Sequence, residues 1–189
     1  MPELCPPLAD DLSLRPLCEE DRGRICAWMQ DLELTQFTVV VPGPNYAPVL
    51  NETTSDEYFT ALLEDPRRQV WAICKNGLHV GNVGLRELDV KARRAECFVE
   101  LGEASLKGQG IGTWAMRGLL VEVFFNLELH DLCLGVFEFN VAARKLYTRL
   151  GFSECGHYGW HYCDERFHEV LYMRLQKETY FALRDANEA

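Results

Sequence analysis

The stretch that decides the fold runs from Ala95 to Phe152 and reads AECFVELGEASLKGQGIGTWAMRGLLVEVFFNLELHDLCLGVFEFNVAARKLYTRLGF. Ala95 to Leu101 reads as a strand, and the turn Lys107-Gly108-Gln109-Gly110-Ile111-Gly112 follows it. From about Thr113 to Leu127, Met116, Leu119, Leu120, Val123, Phe124 and Leu127 recur at helical spacing, which predicts an amphipathic helix whose apolar side is core. Leu132 to Phe139 alternates as a second strand. Asn140 is a good N-cap for a second helix with Ala143, Leu146, Tyr147 and Leu150 inward, stopped by Gly151 and Phe152. A glycine-rich turn opening a helix offers unpaired backbone N–H groups and the positive end of the helix dipole, which together make an anion site.

Working outward, Leu12 to Leu17 is expected to be an edge strand, since Pro16 is tolerable only there. Glu19 to Asp31 is expected to be a first helix, carrying Ile25, Trp28, Met29 and Leu32. The proline-rich run Val39 to Leu50 reads as an irregular surface loop. Thr54 and Glu57 match a capping box for a helix reaching about Asp65. Val70 to Cys74, the turn Asn76-Gly77 and Leu78 to Leu88 form a hairpin in which Gly81 and Gly84 weaken the strand or mark a bulge. Glu154 to Leu175 reads as two strands turning near Asp164-Glu165, and Gln176 to Ala189 as a loose polar tail.

The 189 residues suit one domain, with a core over about 12–175 and a tail over 176–189. The apolar and charged fractions, 48% and 25%, are those of an ordinary globular protein. No run approaches the roughly 18 apolar residues of a membrane helix. Eight scattered cysteines without an export signal read as reduced thiols, so a cytoplasmic protein away from membranes is the expectation. His157, His161 and Cys163 lie close in sequence, but His157 to His161 spans about 13 Å along a strand, and no metal site is expected. The formal charge of −10 argues against sequence-independent nucleic-acid binding and would suit a cationic substrate or simply keep the protein soluble.

The turn is not a nucleotide P-loop, because no Lys-Ser or Lys-Thr follows the second glycine at the required spacing. Gly110-x-Gly112-x-x-Ala115 matches the dinucleotide fingerprint formally, yet Gly102 to Lys107 separates it from its strand and several strands precede it, which disfavours a nicotinamide or flavin oxidoreductase. Taken with the following strand and helix, the turn resembles the GNAT superfamily of acyl-CoA-dependent N-acyltransferases. The family signature Gln/Arg-x-x-Gly-x-Gly/Ala opens a helix, and Lys107 stands here where Gln or Arg is usual. The second family motif is matched by Val136 to Phe152. Leu129-His130, the Asn140 to Phe152 pattern and His168 to Met173 are most similar to the branch containing ribosomal-protein N-terminal and spermidine acetyltransferases.

The resemblance implies an α/β domain of α+β type with the GNAT fold: a central mixed, mostly antiparallel sheet, splayed at the cofactor site, with helices on both faces. It implies acetyl-CoA, or a longer acyl-CoA, as donor. The acceptor is then an amine, whether a protein N-terminus, a polyamine, an aminoglycoside or a small amino compound. Val99, Glu100 and Leu101 are expected to bond the pantetheine arm. Lys107, Gly108, Gln109, Gly110, Ile111, Gly112 and Thr113 are expected to hold the pyrophosphate, with Asn140 and Tyr147 completing the cofactor side. Tyr147 matches the family's proton donor to the departing sulfur, a phenol whose ordinary pKa is about 10. Glu100 is the candidate base, with Glu96, Glu138 or a water chain as alternatives, since Gly135 stands where some relatives carry Glu. Trp160, His161 and the loop near Tyr46 are candidates for the amine pocket. A non-catalytic acyl-CoA sensor or interaction module on the same fold is the second reading. The sequence does not fix the oligomeric state, and a homodimer is among those it allows.

Overall fold

The computed structural model describes residues 11–35, 52–163 and 166–188. Seven strands form one sheet in the order β1-β2-β3-β4-β5-β7-β6. They are β1 (Leu12–Pro16), β2 (Gln69–Lys75), β3 (Leu78–Asp89), β4 (Arg94–Leu101), β5 (Asp131–Phe137), β6 (Ser153–Cys163) and β7 (Arg166–Gln176). Every neighbouring pair is antiparallel except β4 with β5. Among the described residues six helices accompany them: α1 (Arg22–Met29), α2 (Leu32–Thr35), α3 (Glu52–Glu64), α4 (Ile111–Val121), α5 (Val141–Arg149) and α6 (Lys177–Glu188). The loop predicted over Val39 to Leu50 and the turn at Asp164-Glu165 lie outside the described residues.

Alternation along the strands sends side chains to two layers. Val83 and Leu85 of β3, Ala95 and Cys97 of β4, and Leu132, Leu134 and Val136 of β5 pack against Ile111, Ala115, Met116 and Leu119 of α4 and Tyr147 and Leu150 of α5. On the other face Val70, Ala72 and Cys74 of β2 pack with Ile25 and Met29 of α1 and Phe59 and Leu62 of α3. The sheet therefore carries helices on both faces. The Asn76-Gly77 hairpin turn adopts the two positive φ values, 51° and 75°, that match the strand twist, and β1 with Pro16 is an edge strand.

Three expectations change. The first helix is shorter: a 3-10 turn over Glu19–Asp21 precedes α1, and α2 follows as a separate turn. The α3 helix begins at Glu52, so Thr54 lies inside its first turn rather than at its cap. The run Asn51 to Asp56 holds several residues able to cap a helix, and residue type alone does not choose between them. The tail is not loose, because Lys177–Glu188 is helical. Its aromatic residues explain why: Tyr180 stacks on Phe124 with centroids 4.9 Å apart and Phe181 meets Phe125 edge-on at 5.0 Å. The α4 helix runs on through a π turn, Glu122–Asn126, which brings both phenylalanines to that contact. Among the described residues no helix is long and apolar enough to cross a membrane.

Ending the chain at Gln176 would uncover this aromatic cluster. The truncated protein is expected to lose on the order of 2–4 kcal/mol in urea unfolding, the value of one or two large side chains returned to water. A loose tail would leave the midpoint where it was.

Candidate active site

The β4 and β5 strands pair at three positions only, Arg94 with Asp131, Ala95 with Leu132 and Glu96 with Cys133. Beyond Glu96 they part. Residues 97–101 of β4 therefore turn one backbone edge into the gap, while their other edge stays bonded to β3. A cleft of about 510 Å³ fills the gap, walled by Val99, Glu100 and Leu101 of β4, by Gly135 and Val136 of β5, by the loop Lys107–Gly112 and by Asn140, Leu146 and Tyr147 of the second motif. An open strand edge in a cleft accepts an extended ligand as an added strand.

At one end of the cleft the loop presents its backbone. Gly108 and Gly110 have φ of 80° and 82°, the left-handed region where a side chain is strained. The first α4 bond runs from Trp114 N–H to Gly110 C=O, so the amides of 111–113 have no partner within the helix. Gly112 lies close below Leu146 and Val99, where an added Cβ would sit 3.8 and 3.9 Å from their methyls. Lys107 and Arg149 also line this end. Gln109 differs from the rest of the motif. Its side chain donates to Ser105 C=O at 2.9 Å and accepts from Lys75 Nζ at 3.1 Å, and it does not line the cleft. Alternate residues of a tight turn point opposite ways, which the motif alone does not reveal.

Tyr147 lines the middle of the cleft from the α5 side. The residue is 7% exposed, and burial pushes its phenol well above the ordinary value. The hydroxyl therefore stays protonated at every physiological pH and is a donor. Asn140 accepts from Ala143 N–H at 3.1 Å as the α5 cap while also bordering the cleft.

Glu100 enters from β4, and burial raises its carboxyl above the usual range. The Asn82 amide bonds it at 2.8 Å and Arg86 nearby opposes the rise. The other carboxylates considered from the sequence are elsewhere. Glu96 is tied to Arg86 at 3.0 Å, and Glu138 stands 3.9 Å from His168; neither borders the cleft. Beyond Glu100 the cleft ends on Leu34, Tyr58, Arg68 and Phe98, residues the sequence did not single out. Nothing local marks them, because α2 and α3 reach the site only through folding. His161, Trp160 and Tyr46 fall outside the residues whose side chains are described, and His157 pairs with Glu169 on the neighbouring strand.

A second hollow, about 940 Å³, lies at the opposite end of β4 and β5, where the strands are still paired and Arg174 bonds Asp131 at 2.7 Å. It is larger, but it holds neither an open strand edge nor a helix start.

The comparisons with known proteins agree with this geometry. Residues 11–153 match the acetyltransferase (GNAT) domain. The chain belongs to the GNAT acetyltransferase family. A relative from Bacillus subtilis (strain 168), YdaF, provisionally named a ribosomal N-acetyltransferase, is 28% identical over 138 residues, 69% of this chain and 75% of its own. Spermidine N-acetyltransferase from Vibrio cholerae, solved with CoA and spermine, superposes with a TM-score of 0.77 at 22% identity, covering 92% of this chain and 99% of that one. A dodecameric form of the same Vibrio cholerae enzyme superposes at 0.73 and 22%, covering 91% and 97%. The protein is an acetyl-CoA-dependent N-acetyltransferase whose acceptor is an amine. In this acetyltransferase the open β4 edge and the α4 start fit the two parts of such a donor, an amide-rich arm and a pyrophosphate.

Replacing Gly110 with alanine places a side chain at φ 82° with open space around it. The loop then relaxes to avoid a cost of about 1–2 kcal/mol, and the Kd for acetyl-CoA measured by calorimetry is expected to rise about tenfold. An unchanged Kd would show that the loop does not hold the donor.

Proposed function

We propose that Glu100 and Tyr147, facing the cleft from β4 and from α5, are the base and the acid of the transfer. Acetyl-CoA supplies the acetyl group as a thioester, so a C–N bond to the amine forms while the C–S bond breaks. Glu100 takes the proton of the acceptor ammonium. Tyr147 directs its hydroxyl at the departing sulfur; burial keeps that hydroxyl protonated and so always available as a hydrogen-bond donor, and the proton passes to the sulfur as the C–S bond breaks. The single observation that carries this reading is the position of both groups on the wall of one gap, at the point where β4 and β5 separate. Val99, Glu100 and Leu101 supply the backbone edge for the pantetheine arm, Lys107 to Thr113 the pyrophosphate cradle, and Asn140 the neighbouring contact.

The acceptor end narrows the amine. Of the described residues lining the cleft, Glu100 is the sole carboxylate; Arg68 and Arg86 share its end, while Lys107 and Arg149 stand at the pyrophosphate end. A polyamine needs several anions to hold its repeated charges. The lining instead favours one ammonium attached to an apolar or acidic body, which describes the amino terminus of a polypeptide. The protein named for ribosomal N-acetyltransfer is the relative whose name fits this lining. We place the reaction in the cytoplasm, because Cys18, Cys26, Cys74, Cys97, Cys133 and Cys155 are all free thiols.

Three measurements test the proposal. Tyr147→Phe should lower kcat about a hundredfold while the Kd for acetyl-CoA stays within about twofold; an unchanged rate would assign Tyr147 to the core. For Glu100, a raised pKa means that the ionised base is lost at higher pH than for an ordinary carboxylate. The kcat/KM profile should therefore fall on its acid side well above about pH 4.3, and Glu100→Gln should remove that limb. Free thiol release with an N-terminal peptide should exceed that with spermidine, and the reverse order would return the acceptor to the polyamines.

A further inference from the structure

Of the four buried polar or charged residues among those described, three, Asp21, His79 and Asn82, stand in one line behind Glu100. The Asn82 amide Nδ2 donates to Glu100 Oε1 at 2.8 Å. Its Oδ1 lies 2.8 Å from His79 Nε2. His79 Nδ1 lies 3.0 Å from Asp21 Oδ1, an ion-pair distance without the alignment of a hydrogen bond, and Asp21 receives both Nη groups of Arg15, at 2.6 and 2.7 Å. The line begins at the edge strand β1 and ends in the cleft.

The backbone is shaped to make it. His79 and Asn82 are three residues apart and would point to opposite faces of a regular strand. Cys74 pairs with His79 and Ile73 with Gly81, so the register skips Val80 in a bulge, and both side chains reach the α1 side. Asn82 pairs across β3 and β4 with Glu100 itself. Trp28 closes over the His79 ring edge-on at 4.8 Å. Capping of the 3-10 turn accounts for Asp21 alone, through the Cys18 N–H bond of 3.0 Å. It gives no reason for a buried imidazole and amide, which are costly in a core unless each is partnered.

We propose that Asn82, backed by His79 and Asp21, is the positioning residue that aims Glu100 at the acceptor amine and ties its charge to that of a buried imidazole. This rests on the reading of Glu100 as the base. From Glu100 to His79 Nε2, donor and acceptor counting gives two complete states with the same number of protons, Asp21 standing beside Nδ1 as a charge. When Glu100 is ionised, Asn82 donates N–H to it, the Asn82 carbonyl accepts from His79 Nε2–H, and His79 Nδ1–H faces Asp21, so the ring is an imidazolium. When Glu100 is protonated, the amide turns over. Its oxygen accepts the Glu100 O–H, its NH₂ donates to the Nε2 lone pair, and the ring is neutral with one proton on Nδ1. A carboxylate on Glu100 is thus matched by a charged ring and a carboxylic acid by a neutral one. Burial pushes Glu100 up and His79 down, towards the neutral pair.

Other charges face the two ends. Glu100 has Arg86 on β3, itself paired with Glu96 on β4, and Tyr58 of α3 and Arg68 after it share its end of the cleft. His79 has Asp21 and Arg15 at its ring, and Arg24 on its carbonyl at 2.9 Å.

The decisive variant is Asn82→Asp, equal in size but unable to donate when ionised. Two carboxylates then share one site, and one of them is held protonated to higher pH. The acid limb of kcat/KM should move up by about one pH unit or more, with the Kd for acetyl-CoA within about twofold of the parent. A folded variant with an unmoved limb overturns the proposal. Should that variant fail to fold, ring ¹⁵N titration of His79 by NMR is compared between the parent and Glu100→Gln. The His79 titration should shift, and identical curves overturn the coupling. If Glu100→Gln keeps full kcat/KM and its acid limb, Glu100 is not the base; that result rejects the reading beneath the proposal, while the His79 titration still decides the line itself.

Discussion

The site depends on the parting of β4 from β5. A parallel pair joined over only three residues leaves the backbone of residues 97–101 without a sheet partner on one side. Unpaired amides and carbonyls inside a protein are costly unless a partner or water satisfies them. The gap is therefore held open by its surroundings. On the α1 and α3 side Phe98 packs into the smaller core, and on the α4 and α5 side Ile111, Tyr147 and Val136 belong to the larger one. The two layers grip diverging strands and leave an edge fit for an extended ligand to pair with.

The same arrangement separates the chemistry by face. Residues alternate along β4, so Val99 looks toward α4 and α5 while Glu100 looks toward α1 and α3. Tyr147 on α5 and Glu100 on β4, the proposed acid and base, thus approach one gap from opposite layers, and burial in its own layer raises the pKa of each. The net charge of −10 belongs to the whole chain, whereas the described cleft lining carries four basic side chains and one acidic. That contrast suits a donor rich in phosphate.

Much of this was legible in the sequence, for definite reasons. Asn140 caps α5 through Ala143 and Gly110 takes the left-handed conformation at the α4 start, both effects of a few neighbouring residues. Repeated apolar spacing located α4, α5 and the strands because each buries one face. The tail failed because Tyr180, Phe181 and Leu183 were set among polar residues, and their partners Phe124 and Phe125 lie more than fifty positions away. Gln109 was included with its motif, yet its side chain bonds Lys75 of β2. The line behind Glu100 was hidden for a third reason. Asn82 between Val83 and Gly81 is a polar residue in an apolar strand, a signal that was available, but its bond to His79 requires a bulge that residue spacing does not announce.

Amide hydrogen exchange, with and without acetyl-CoA, tests the central claim most directly. If the open β4 edge and the α4 start hold the donor, exchange should slow at residues 97–101 and at 108–113, with little change along β6 and β7. Protection that spares those two segments and appears instead around Asp131 and Arg174, beside the larger hollow, would contradict the account.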